Sequence, residues 1–484
     1  MPDPNTSRIQ YPEAPEPLRE KRWWKSIGFL GPGIIIASVS IGNGETVFAS
    51  RGGAIFGYAI LWCFFLGIFL KGAQIYASAR YMLLSGEHPM QSWTKLPGPR
   101  SWFPKGLLFI TAICLPFLLA SLSLAVGSLI AWILGSGGAQ DTSVRLWSTA
   151  LIVVAALFSW RQGYKRLEKT QMMVVSLLLI CILVAAVACQ PNLVSLFKGL
   201  FVPTIPDYKE WIHQTYPDIA QKSAWIEIVS YIGIIGGGLP AYIGYFSFLR
   251  EKQWGLFEKR SIYRHSTQDG FAAFDLSGDN LKRGRDWLKA IKIDVSGSFL
   301  AVFIFSAAFM VLGSVILHES HRIPDKMDLL SYQESFLTSL HPSLLILYRI
   351  GIFTAIGGTL FATFDVWTKS IYEGVLSFLK PETSLDNQKL KRGLIITTST
   401  IGIGVIWLGS VWEPLANPVS IVQIPAMLGG TLGCGAWCFG VAWADRRNLP
   451  QELRMRPLLY FGLLISGTTL LSFGAIGMYF KFFA

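Results

Sequence analysis

Apolar residues in this chain arrive in long runs parted by short polar stretches. Each run is close to the ~20 residues that a ~30 Å hydrocarbon core requires. The runs are helical in length and rich in Leu, Ile and Gly, which predicts an all-α membrane protein and excludes a transmembrane β-barrel. They predict eleven spans, at roughly 27–51, 55–83, 105–135, 145–161, 168–190, 223–249, 290–317, 341–378, 389–411, 414–444 and 454–482.

The loops support this count. Basic residues crowd the N-terminal tail (Arg19, Lys21, Arg22, Lys25), the second loop (Lys95, Arg100, Lys105) and the fourth (Arg161, Lys165, Arg166, Lys169). They return in the sixth (Arg260, Arg264, Lys282, Arg283, Arg285), the eighth (Lys389, Lys391, Arg392) and the tenth (Arg446, Arg447, Arg454, Arg456). These are alternate loops, so the positive-inside rule places the N-terminus in the cytoplasm and the C-terminus outside, as for a multi-pass protein of a bacterial inner membrane. The net charge of +12 therefore faces lipid and cytoplasm rather than nucleic acid. Residues 1–22 are polar and Pro-rich without a signal-peptide pattern.

The expected organisation is a cytoplasmic tail (1–26), spans one to five (27–190), an extracytoplasmic loop (191–222), spans six to ten (223–444) and the last span with its ends (445–484). The second group of spans includes a long cytoplasmic loop at 250–289, with room for a short amphipathic helix.

Two spans are interrupted midway. In the first, Ile34 to Ile41 runs into Gly42-Asn43-Gly44-Glu45 before Thr46 resumes the helix. In the sixth, Ile232 to Ile235 runs into Gly236-Gly237-Gly238-Leu239-Pro240 before Ala241 and Tyr242. Glycine raises the cost of helix and proline removes a donor, so both clusters predict breaks at membrane depth. Unpaired backbone there is tolerated where it lines a polar cavity. Breaks five spans apart are what a five-plus-five inverted repeat places at one midplane site. The bland alternative is that the glycines only permit close helix packing.

With these residues in view, the chain resembles the Nramp family of metal transporters. The resemblance rests on Gly31-Pro32-Gly33, Gly42-Asn43-Gly44-Glu45, Gly52-Gly53, Phe56-Gly57-Tyr58 and Leu61-Trp62, at the spacing of that family's first two helices. Leu239-Pro240-Ala241 stands where the family has Met-Pro-His. Glu373-Gly374, Gln423-Ile424-Pro425 and Asp445-Arg446-Arg447 look like landmarks of its eighth and tenth helices. The resemblance implies a LeuT-type fold: two inverted five-helix repeats plus one helix, with spans one and six broken.

The departures are as informative. The family's metal-binding Asp and Asn correspond to Gly42 and Glu45, its thioether to Leu239, and two histidines to Ala241 and Phe246. Its proton-relay acids fall at Ser121 and Leu124, and a tenth-helix Gln at Asn417. What remains is free backbone N–H at two half-helix starts, the hydroxyls of Thr46 and Tyr242, the amides of Asn43 and Asn417, and the Glu45 carboxylate. Half-helix N-termini favour anions, while unwound carbonyls and a carboxylate suit Na⁺. The expected substrate is thus a small inorganic ion, with a compact anion such as bicarbonate, moved by symport with Na⁺ or H⁺, ahead of a divalent cation (Mg²⁺ or Mn²⁺) on relocated ligands. A receptor-like protein without transport is the third reading.

The candidate substrate residues are Gly42 to Thr46, Gly236 to Tyr242 and Asn417; the candidate coupling-ion residues are Glu45, Thr359, Thr363 and Asp365. No metal cluster or cofactor is expected. Cys434 and Cys438 read as packing residues. All six histidines lie in loops or at span ends, which argues against an enzyme. Among other charges, Arg51 is expected to snorkel, Asp365 and Lys369 to pair one turn apart, and Asp294 and Lys292 to serve the start of span seven, while Lys71 is ambiguous.

Overall fold

The structure, a computed structural model, describes residues 9–20, 28–33, 37, 46–136, 141–160, 165–259, 274–325, 328, 330–378 and 386–483, with backbone alone at 141, 165–172, 174, 258, 259, 365 and 387. Each expected span from the second onward coincides with a helix. These are α2 (Leu61–Ser85), α3 (Trp102–Ile133), α4 (Asp141–Trp160) and α5 (Lys165–Ala188) in the first repeat, after the short α1 (Ser50–Phe56). In the second come α6 (Ala224–Ile234), α7 (Leu239–Glu251), α8 (Gly278–Leu312), α9 (Leu344–Leu376) and α10 (Asn387–Leu408). Span ten is α11 (Pro418–Pro425), a π-helical stretch (Ala426–Gly433) and α12 (Cys434–Asn448), and the last span is α13 (Pro457–Phe482).

Eight helical stretches among the described residues are long and apolar enough to cross a membrane, or nine if a pair bent by 113° at its break is one span. That pair joins α5 to the helix Leu193–Phe201, whose exposed Leu193, Val194, Phe197 and Phe201 form an apolar surface. The first span is described only in part, so the count of eleven stands as an expectation.

Prolines stand at the first positions of α7, α11 and α13, where the missing N–H needs no partner. Ser223 and Asn417 cap α6 and α11 by accepting from Trp225 and Ser420. Within the segment expected as a loop at 250–289, Ser277 caps a helix that runs unbroken from Gly278 into span seven. The tail packs on the charged first turns of this helix, where the Trp287 indole donates to the Pro12 carbonyl and Lys289 to the Leu18 carbonyl. The Tyr11 N–H donates to Asn280 Oδ1 at 2.7 Å and its hydroxyl to the Leu84 carbonyl at 2.8 Å.

Small residues let backbones touch, as membrane packing requires in place of a hydrophobic drive. A Cβ on Gly430 would run into the Gly233 carbonyl, and one on Gly233 into the Ala426 carbonyl. These obstacles are backbone and cannot rotate away. Gly430→Leu is therefore expected to abolish the monodisperse peak in size-exclusion chromatography of the solubilised protein, whereas Gly462→Ala, with open space around its Cβ, leaves it intact.

Candidate functional site: the broken sixth span

Span six parts after Ile234. Ile235 takes extended geometry, Gly236 and Gly237 have φ of +67° and +88°, and Gly238 is extended again before α7 begins. Two consecutive residues at positive φ explain the glycines, since a Cβ is disfavoured there.

Buried backbone at this depth must find partners. The Tyr231 and Ile234 carbonyls accept from the N–H groups of Ile235 and Gly237. The Gly236 carbonyl accepts from the Tyr242 hydroxyl at 2.9 Å. The carbonyls of Gly233, Ile235 and Gly237 all accept from the Lys71 ammonium, at 2.7, 2.9 and 2.7 Å. Lys71, on α2, is fully buried, and the charge that sequence left ambiguous serves three carbonyls of the break.

Facing the break from the other side is a cavity of about 60 Å³. Cys114, Leu118 and Leu122 of α3 line it, with Gly233, Ile234, Gly237, Gly238, Pro240 and Ala241 around the break, Thr359, Thr363 and Trp367 of α9, and Pro425, Ala426, Gly429 and Gly430 of span ten. Its volume is far below the ~300 Å³ of an organic-ligand pocket. Its donors are oxygen-rich. The hydroxyls of Thr359 and Thr363 donate to the carbonyls four residues back, which leaves their lone pairs to accept or coordinate. No carboxylate is among the described lining residues.

The expected site residues divide. Gly237, Gly238, Pro240, Ala241, Thr359 and Thr363 come together on the cavity. Leu239 is buried against Gly433, and the Tyr242 hydroxyl holds the break instead of facing substrate. Asn417 stands apart as the cap of α11. Gly42, Asn43, Gly44 and Glu45 lie outside the described residues, as does the Asp365 side chain. Thr46, next to them, is fully buried, and its hydroxyl has no hydrogen-bond partner among the described residues. Its carbonyl accepts from Gln333 at 2.9 Å. Residues not foreseen are Lys71, Cys114, Trp367 and the span-ten glycines.

Charged groups tie the halves of spans one and six to their neighbours. Arg51 does not snorkel: it is 3% exposed and pairs with Glu227 of α6 at 2.9 Å and with Asp325 at 3.3 Å. Its third partner is the Pro324 carbonyl at 2.8 Å, and Tyr231 donates to Glu227 at 2.8 Å. Nearby, in the loop before α6, burial raises the Tyr208 phenol above its usual range, with the Glu227 charge acting the same way, so it stays neutral. At the other end, Asp294 lies within α8 and serves span one rather than its own helix. It accepts from the N–H groups of Gly31 at 2.8 Å and Gly33 at 2.9 Å, and from the Tyr245 hydroxyl at 3.0 Å. Lys369 pairs with Glu251 of α7 at 2.7 Å and lies over the Phe248 ring; the Asp365 side chain, its expected partner, lies outside the described residues. Arg250 and Glu373 join the same two helices at 2.8 Å.

Comparison with known proteins agrees with this geometry. A metal transporter, Nramp3, of Oryza sativa subsp. japonica is 26% identical over 195 residues, 39% of this chain and 33% of that protein. A divalent metal cation transporter, MntH, of Brucella suis is 23% identical over 312 residues, 60% of this chain and 64% of that protein. The matches thus span between a third and just under two-thirds of these relatives' length. Among solved structures, a mutant of the manganese transporter of Eremococcus coleocola superposes with a TM-score of 0.68 at 13% identity, covering 99% of this chain and 90% of that one, which shows a shared fold. The family described as natural resistance-associated macrophage protein-like matches residues 33–475. From the broken helix to the matched sequence, the chain belongs to the Nramp family and is a multi-pass membrane protein of a transporter family.

Proposed function

We propose that the protein is a secondary active transporter of a divalent metal cation of hard character, Mg²⁺ or Mn²⁺, moved by alternating access through the broken sixth span. The observation that carries this is a cavity sized for an ion beside the Gly237–Gly238 break, in which the hydroxyls of Thr359 and Thr363 keep lone pairs that can coordinate. Oxygen donors suit hard cations. The metal-transporting relatives favour the same substrate class. With Leu239 and Ala241 in place of sulfur and imidazole, soft ions gain little here. Glu45 is the carboxylate placed by sequence to complete the shell.

A bicarbonate-like anion is the second reading. The start of α7 lines the cavity with Pro240 and Ala241, a helix N-terminus favours negative charge, and no described lining residue is acidic.

Calorimetry on the purified protein separates hard from soft selection. Mg²⁺ and Mn²⁺ are expected to bind with affinities within about tenfold of each other, Cd²⁺ no more tightly, and all binding to be lost in Glu45→Gln. Cd²⁺ binding far tighter than Mn²⁺ would contradict the oxygen-donor site.

A further inference from the structure

We infer that the ammonium group of Lys71 fills a monovalent-cation site built into the break of span six, as a cation tethered to the chain, and that removing it opens the site to Na⁺ or K⁺. Three carbonyls from a stretch of five residues, Gly233, Ile235 and Gly237, converge on one nitrogen within 2.9 Å. The glycine pair at positive φ turns the chain so that alternate carbonyls face the same point. That point lies at the C-terminal end of α6, where the helix dipole is negative. Rings of backbone carbonyls replace the hydration shell of an alkali cation in the same way.

The lysine side chain reaches this point because α2 and the break are in close contact one turn earlier. A Cβ on Gly67 would meet the Ile235 side chain and the Ile232 carbonyl. A buried ammonium is costly unless its protons are all bonded, and here three carbonyls receive them. The tethered charge gives the break its shape without a dissolved cation, so Na⁺ has no structural role at this point in the natural chain. The inference does not depend on which ion is transported.

Its test needs no transport. Wild type, Lys71→Ala and Lys71→Met are extracted and purified in choline chloride, NaCl or KCl at matched ionic strength, and thermal unfolding is followed by size-exclusion chromatography. The wild-type midpoint is expected to be the same in all three salts. Lys71→Ala is expected to be destabilised in choline and to recover several degrees, saturably, in NaCl or KCl. Lys71→Met, which fills the space without charge, is expected to stay low in every salt. A Lys71→Ala protein that responds to no salt, including one that aggregates in all three, overturns the inference. So does an equal recovery in Lys71→Met, which places the ion elsewhere, or a wild type with the same salt dependence.

Discussion

Arg51→Ala is expected to destabilise the folded protein by about 3–5 kcal/mol, because it strands a buried carboxylate. Glu227 lies within α6, almost wholly buried, and its described partners are Arg51 and the Tyr231 hydroxyl. Taking away the guanidinium leaves a charge in a low-dielectric setting with one neutral donor. Glu227→Gln should cost less, since Arg51 keeps Asp325 and the Pro324 carbonyl, and Asp325 is partly open to solvent. The double variant Arg51→Met with Glu227→Leu should recover most of the loss, because an apolar pair of similar volume avoids both desolvation penalties. Thermal unfolding of the three purified variants gives the ranking. If Arg51→Ala unfolds at the wild-type temperature, the cluster is not a structural tie between spans one and six.

Gly237→Val is expected to lower transport at least about 100-fold while leaving the protein folded in the membrane. Gly237 has φ of +88°, and a β-branched side chain at positive φ is a true outlier. The local penalty is about 1–3 kcal/mol, which a well-packed protein survives, but relief of the strain must rotate the peptide. That rotation moves the Gly237 carbonyl off Lys71 and distorts the cavity wall to which Gly237 and Gly238 contribute. Gly42→Val is expected to act likewise on the first span. Normal uptake by Gly237→Val at normal expression would mean that these glycines serve packing alone.

The sixth-span break could be read from sequence because its signal is local: three glycines, a leucine and a proline inside an apolar run. The threonines of α9 were legible for a similar reason, as polar residues at helical spacing in a span. Pairings across the bundle were not. Arg51 looks like a snorkelling residue near a helix end until α6 brings Glu227 beside it from 176 residues away. The long stem of Lys369 reaches Glu251 on the neighbouring helix, a pairing that sequence spacing within one span does not show. Lys71 gave no hint of its role, since its partners are backbone atoms, which carry no residue-type signal. The capping role of Asn417 was not foreseen: the aligned family position falls on the residue that starts α11. Hydropathy did not show that α8 begins as far back as its Ser277 cap, because the first turns of the helix are charged.

Uptake into proteoliposomes tests the central claim, that the broken sixth span passes a hard divalent cation. Vesicles carrying wild type, Gly237→Val or no protein are offered Mg²⁺, Mn²⁺ or labelled bicarbonate, each with and without Na⁺ and proton gradients. The account predicts saturable Mg²⁺ or Mn²⁺ uptake by wild type, competition between the two metals, and none above protein-free vesicles in Gly237→Val. Saturable bicarbonate uptake with no divalent-metal uptake would contradict it and assign the break to an anion.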